Sequence, residues 1–276
     1  MKRDDLKTRL LALCLKLGIG LTSSSNMQTL QEDQAELFLR RNYMDFTSKF
    51  DPKFWLPRIT MPSLSQFAQS KAQLHQDLVA LGFLDYMTGG YFVEFGATDG
   101  VRFSNTYLLE KHYQWTGILA EPGRVWHKSL TSNRSAIVET RCVWRTSGEK
   151  LEFNETVVGE LSTLEMFSAG DMHAAARLSG NRYLVDTISL EDLLGINQAP
   201  ERIDYLSIDT EGSEFEILRD FDFSKYSFGF ISCEHNFTPS RDQVFKLLSA
   251  NGYVRVLESM SLFDDWYVHN SLVKTE

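Results

Sequence analysis

The chain has 276 residues, 43% hydrophobic and 24% charged, enough apolar material for a sizeable core and too much for a wholly disordered chain. A net charge of −9 and the lack of a long Lys/Arg block argue against non-specific binding to nucleic acid. The three cysteines, Cys14, Cys142 and Cys233, form no C-x-x-C pair, which disfavours a disulfide framework or a cysteine zinc site and fits a reducing cytoplasm.

Leu10 to Leu21 is too short to span a bilayer and is interrupted by Lys16. Asp4 and Asp5 weaken the basic region that a signal peptide needs, so the stretch reads as a short amphipathic helix. No transmembrane segment is expected elsewhere. Residues 22–29 read as a polar linker, and Leu30 to Phe50 has a helical pattern ended by Asp51-Pro52. Ser65 to Leu84 is expected to be one helix, with Phe67, Leu74, Leu78 and Leu81 on one face. Residues 1–64 are therefore read as an N-terminal helical extension and 65–276 as the main domain.

Tyr91-Phe-Val-Glu-Phe95 reads as a buried strand, followed by the small-residue turn Gly96-Ala-Thr-Asp-Gly100 and a helix-like run from Ser104 to Lys111. Strand, glycine-bearing turn and helix are how an open α/β sheet holds a nucleotide-like ligand at the carboxyl ends of its strands. Trp115 to Ala120 is a second buried strand. It ends in Glu121-Pro122, 27 positions after Glu94, where an acid is placed to accept two ribose hydroxyls. Ser135 to Val143 and Arg182 to Ile188 read as strands. Residues 154–182 form a polar insertion suited to a hairpin, a lid or a substrate wall. Ile203 to Asp209 and Phe228 to Cys233 are further buried strands, ending in Asp209-Thr-Glu-Gly212 and Glu234-His-Asn236. Ser240 is expected to cap a helix, and Tyr253 to Leu257 with Trp266 to His269 to close the sheet as a hairpin. Alternating strands and helices imply a mostly parallel sheet.

The strand-end acids Glu94, Asp99, Glu121, Asp209, Glu211 and Glu234 should gather at one edge of that sheet. Such a crevice favours a cationic or hydroxyl-rich ligand. S-adenosylmethionine fits, with its ribose diol, ammonium and sulfonium. A dinucleotide does not, because the turn lacks G-x-G-x-x-G and carries an acid. At Gly89 to Gly100, Ser104 to Lys111, Gly117 to Pro122 and Ile203 to Glu214 the chain resembles the FkbM family of S-adenosylmethionine-dependent O-methyltransferases. Gln73 and Gln76-Asp77 resemble the family's glutamine-rich lead-in.

The resemblance implies a class I methyltransferase fold (Rossmann-like), a seven-stranded mostly parallel sheet with a reversed last hairpin. It implies methyl transfer to a hydroxyl of a sugar, glycan or related natural product. Glu94, Gly96, Ala97, Asp99, Gly100 and Asn105 would line the methionine end of the cofactor, and Glu121 with Pro122 the ribose. Asp99 and Asn105 can instead be read as turn and helix caps. Asp209, Glu211, Glu234 and His235 are candidate proton acceptors. His235 serves equally as a hydrogen-bonded structural histidine. Asp209, Glu234 and Asn236 offer oxygen ligands for Mg²⁺, or acids that simply bind sugar hydroxyls. Trp55, Trp144, Phe167 and Trp266 are aromatics able to stack on a sugar, though most suit a core. A homo-oligomer is left open, as is a non-catalytic module that binds a glycan or a partner.

Overall fold

The structure is a computed structural model that describes residues 24–49 and 59–273. The amphipathic stretch expected at Leu10 to Leu21 and Trp55 lie outside the described residues. Two compact units divide between Ser48 and Lys49. The first contains the helix α1 (Ser24–Ser48), which already includes most of the stretch read as a linker. Glu36 and Arg40, one turn apart, pair at 2.7 Å on its exposed face.

The second unit opens with α2 (Leu64–Gln69) and α3 (Gln76–Phe83). The sequence pattern predicts one helix here, and the structure breaks it in two. At the start of α2, Ser63 Oγ accepts from the Gln66 amide while the Gln66 side chain accepts from the Ser63 amide. Between the helices His75 adopts a left-handed backbone, φ 59°, and Asp77 Oδ1 accepts from Ser70 Oγ at 2.7 Å. These local side-chain bonds override the apolar periodicity.

The strands of the main sheet are β1 (Tyr91–Phe95), β2 (Thr116–Ala120), β3 (Ile137–Glu139), β8 (Arg202–Ile208), β9 (Ser227–Glu234), β10 (Tyr253–Val256) and β11 (Asp264–His269). Their order is β10-β11-β9-β8-β1-β2-β3, and β11 alone runs against the rest. The sheet is therefore mixed, with β11 inserted between β9 and β10. The first three strands connect through α4 (Tyr107–Tyr113) and α5 (His127–Asn133). Later come α7 (Leu190–Ile196), α8 (Glu214–Leu218), α9 (Ser240–Ala250) and α10 (Glu258–Ser261). Helix α9 starts at Ser240, but Pro239 holds the cap position, and the Ser240 hydroxyl bonds Thr238 instead.

A second, four-stranded sheet has the order β4-β7-β5-β6. It comprises β4 (Cys142–Trp144), β5 (Lys150–Glu155), β6 (Thr163–Leu164) and β7 (Asn181–Ser189). The single strand expected over 135–143 is thus split, with β3 in one sheet and β4 in the other. The insertion adds two 3₁₀ turns and a short helix, α6 (Ala174–Arg177), between β5 and β7. Cys142 and Cys233 are buried, unpaired and packed as small apolar groups.

Register positions the site. Phe95 stands opposite Ala120 on one side and Ile208 on the other, and Ile208 stands opposite Cys233. The next residues, Gly96, Glu121, Asp209 and Glu234, therefore emerge side by side at one edge.

Candidate active site

A cleft of about 320 Å³ opens at that edge. Of the residues singled out from the sequence, Glu94, Gly96, Asn105, Glu121, Pro122, Asp209, Glu211, Glu234 and Asn236 line it, whereas Ala97, Asp99, Gly100 and His235 do not.

Glu94 is fully engaged by its own loop. Its carboxylate accepts from the Asn105 amide at 2.7 Å, from Ser104 Oγ at 3.0 Å and from Thr106 Oγ1. Arg134, with a fully buried side chain, lies 3.7 Å away. Burial raises the Glu94 pKa, and Arg134 opposes the rise. The grip on residues 104–106 fixes Asn105, whose Nδ2 donates to Ser207 Oγ at 2.9 Å. The buried Asn105 Oδ1 is left without a hydrogen-bond partner.

Gly96 has φ 76°, and a Cβ there would collide with the Asp209 carbonyl oxygen. It is the close approach of two strand ends that demands glycine at this position. Gly100 meets a similar limit, since a Cβ would lie 2.7 Å from Leu130 and 2.6 Å from Arg134. Asp99 turns away from the cleft: its Oδ1 accepts from the Val101 and Arg102 amides, both at 2.8 Å, in the capping role.

Glu121 is 5% exposed. Its Oε2 accepts from the Thr98 amide at 2.8 Å and its Oε1 from the Gly123 amide at 2.7 Å. Each oxygen keeps a lone pair for a ligand. Burial pushes the pKa up to about 7 against these two bonds.

Asp209, Glu211 and Glu234 form the opposite end. One carboxylate oxygen from each lies within 4.8 Å of the other two. Asp209 and Glu234 touch closely enough to hydrogen-bond, and both are held well above the usual carboxylate range, first by burial and then by their acidic neighbours. Burial also lifts Glu211, to about 7, while Arg177 pulls it down. Glu211 has φ 59°, and its Oε2 accepts from Arg177 at 2.7 Å and from Asn236 Nδ2 at 3.1 Å.

His235 points elsewhere. Its Nδ1 accepts from the Phe237 amide at 3.0 Å, so Nε2 carries the proton and lies 3.0 Å from the Asp264 carbonyl. Burial, aided by Arg241, lowers its pKa. Both nitrogens are occupied away from the cleft, which corrects the expectation of a base at this position. Trp144 and Trp266 are core residues, and neither they nor Phe167 line the cleft.

Several contributors had no sequence signal. Phe103 and Phe237, 39% and 63% exposed, stand at the wall with Met172. The insertion supplies Gly159 to Ser162, Leu164 and His173. From the same insertion comes Arg177, fully buried, which bonds Glu211, Asp171 and the Leu161 carbonyl. A lone arginine in a polar segment gives no hint of such a role.

In open α/β sheets ligands bind in the crevice outside the carboxyl ends of the strands, which is where this acid-lined cleft lies. The family is shown by the sequence itself: residues 94–267, more than half of the chain, match the model of the Methyltransferase FkbM domain, and the chain belongs to that family. No curated protein is matched by the chain.

Proposed function

We propose that the protein is an S-adenosylmethionine-dependent O-methyltransferase of class I, Rossmann-like architecture, acting on a hydroxyl of a sugar, glycan or related natural product. In this reading residues 65–276 are the methyltransferase domain and 1–64 its helical extension. The observation that carries it is the composition of the cleft wall. Among the described residues six acids line it, Glu94, Glu121, Glu160, Asp209, Glu211 and Glu234, and no lysine or arginine does. A phosphate-bearing cofactor would meet no counter-charge there, whereas a sulfonium and an ammonium would. The sheet order, with β11 alone reversed, supports the class I assignment.

The cofactor, when bound, supplies an electrophilic methyl group on a sulfonium. Glu121 offers its two free lone pairs to the ribose hydroxyls, from a position fixed by the Thr98 and Gly123 amides. The unpartnered Asn105 Oδ1 is the acceptor for an ammonium group. At the far end Asp209, Glu211 and Glu234 hold the acceptor hydroxyl and take its proton. Phe103, Met172, Phe237 and Leu161 shield the reacting atoms from water and receive an apolar face of the substrate. Two cysteines that stay unpaired support a cytoplasmic location.

Calorimetry with S-adenosylmethionine tests the reading. Binding is expected, and Glu121→Gln should weaken it about tenfold, through loss of the charge-assisted bonds to the diol. No binding at millimolar cofactor would leave a non-catalytic module as the better reading. An activity screen over neutral sugars, glycans and sugar nucleotides then identifies the acceptor.

A further inference from the structure

We propose that Asp209, Glu211 and Glu234 bind one hard divalent cation, of the Mg²⁺ or Mn²⁺ class, at the inner end of the cleft. The geometry comes from the fold. Asp209 follows β8 and Glu234 ends β9, two paired parallel strands, and Glu211 sits two residues after Asp209, in a turn with φ 59° at Glu211 and φ 121° at Gly212. The three carboxylates bring one oxygen each within 4.8 Å of the others.

A second observation points to a ligand. Glu234 is 8% exposed and lines the cleft, yet its Oε2 has no hydrogen-bond partner. Buried carboxylate oxygens are ordinarily satisfied, and a cation satisfies this one without any donor. The charges agree. Arg177 is shared between Glu211 and Asp171, so it does not neutralise the three clustered carboxylates, and a divalent ion would relieve their mutual repulsion. Arg177 and Asn236 both occupy Oε2 of Glu211, so Oε1 remains for the ion. The three acidic donors are oxygens, without sulfur or imidazole, which selects hard cations over Zn²⁺ or Cu⁺. Asn236, expected from the sequence as a ligand, donates from Nδ2 to Glu211 Oε2 and so orients that carboxylate. An ion here would orient an acceptor hydroxyl and lower its pKa.

The inference rests on the carboxylates and not on the cofactor reading, so the two fail separately. The probe is Mn²⁺, titrated into the full chain without cofactor and followed by the electron paramagnetic resonance of the free ion. One Mn²⁺ per chain is expected, displaced by Mg²⁺. Glu234→Gln and Asp209→Asn should each weaken it about tenfold or more, and Asp186→Asn, a surface control, should not. No saturable site up to about 1 mM Mn²⁺, or a site indifferent to both cleft substitutions, overturns the proposal. Should those variants not fold, anomalous diffraction from wild-type crystals soaked in Mn²⁺ decides. A peak among the three carboxylates supports the site, and a peak only elsewhere, or none, overturns it.

Discussion

Asp77 shows at the residue scale how position overrides type. Its side chain is fully buried; Oδ1 accepts from Ser70 Oγ and from its neighbour's amide, and Oδ2 has no partner. Burial pushes its pKa from 3.8 up to about 7, with the Glu94 charge adding to the rise. Folding raises this pKa, so the folded state favours the protonated form. As far as this group decides, wild-type stability is greatest below pH 4 and declines as the pH climbs toward 7. Asp77→Asn keeps the Oδ1 acceptor and removes the charge. The variant should match wild type near pH 4 and exceed it at pH 8 by about 2–4 kcal/mol, from 1.36 kcal/mol per pKa unit. Urea melts at the two pH values measure the difference, and a gain equal at both would contradict the account. The sequence marked this acid only as part of a family-like lead-in. Its burial depends on α3 packing against the sheet, which no local pattern states.

At the scale of elements, the insertion between β5 and β7 matters most. Its residues were legible as an interruption of the fold, with lid, hairpin and wall left open. In the structure it carries the short strand β6, two 3₁₀ turns and α6, forms a wall of the cleft, and is fastened to the Thr210–Gly212 turn. Thr163 Oγ1 donates to the Glu211 carbonyl at 2.9 Å, Phe167 packs over Gly212, and Arg177 reaches Glu211 and Asp171, each at 2.7 Å. Arg177→Met leaves two largely buried carboxylates facing an apolar group. It should lower stability by about 3 kcal/mol and open the 155–181 segment to protease, whereas Arg177→Lys should retain part of the loss. Denaturant melts with limited proteolysis give the readout, and unchanged cleavage would show that the fastening lies elsewhere. Helix α2–α3 and the β3–β4 split were misjudged from sequence for a related reason: side-chain bonds and sheet partners outrank periodicity over short spans.

At the scale of the whole molecule, the described residues that line the cleft lie between Gln73 and Phe263, inside the second unit. A fragment of residues 49–276 should therefore fold and bind S-adenosylmethionine within a few-fold of the full chain; calorimetry on the two proteins checks this. A large loss would assign the first unit a part in the site.

By itself the sequence determined the order of elements and the edge at which the chemistry gathers. Buried strands ending in glycine or an acid are local signals, because burial on both faces demands continuous apolar runs and the strand ends are where polar residues resume. Only the tertiary structure decided which acids share a site and which are used up by their own loops. Glu121, Asp209, Glu211 and Glu234 face the cleft, Glu94 lines it with its carboxylate already held by residues 104–106, Asp99 braces a turn, and His235 serves the fold. The reason is physical. A side chain's role depends on partners brought from distant positions by strand register and close packing, and no window of sequence contains them.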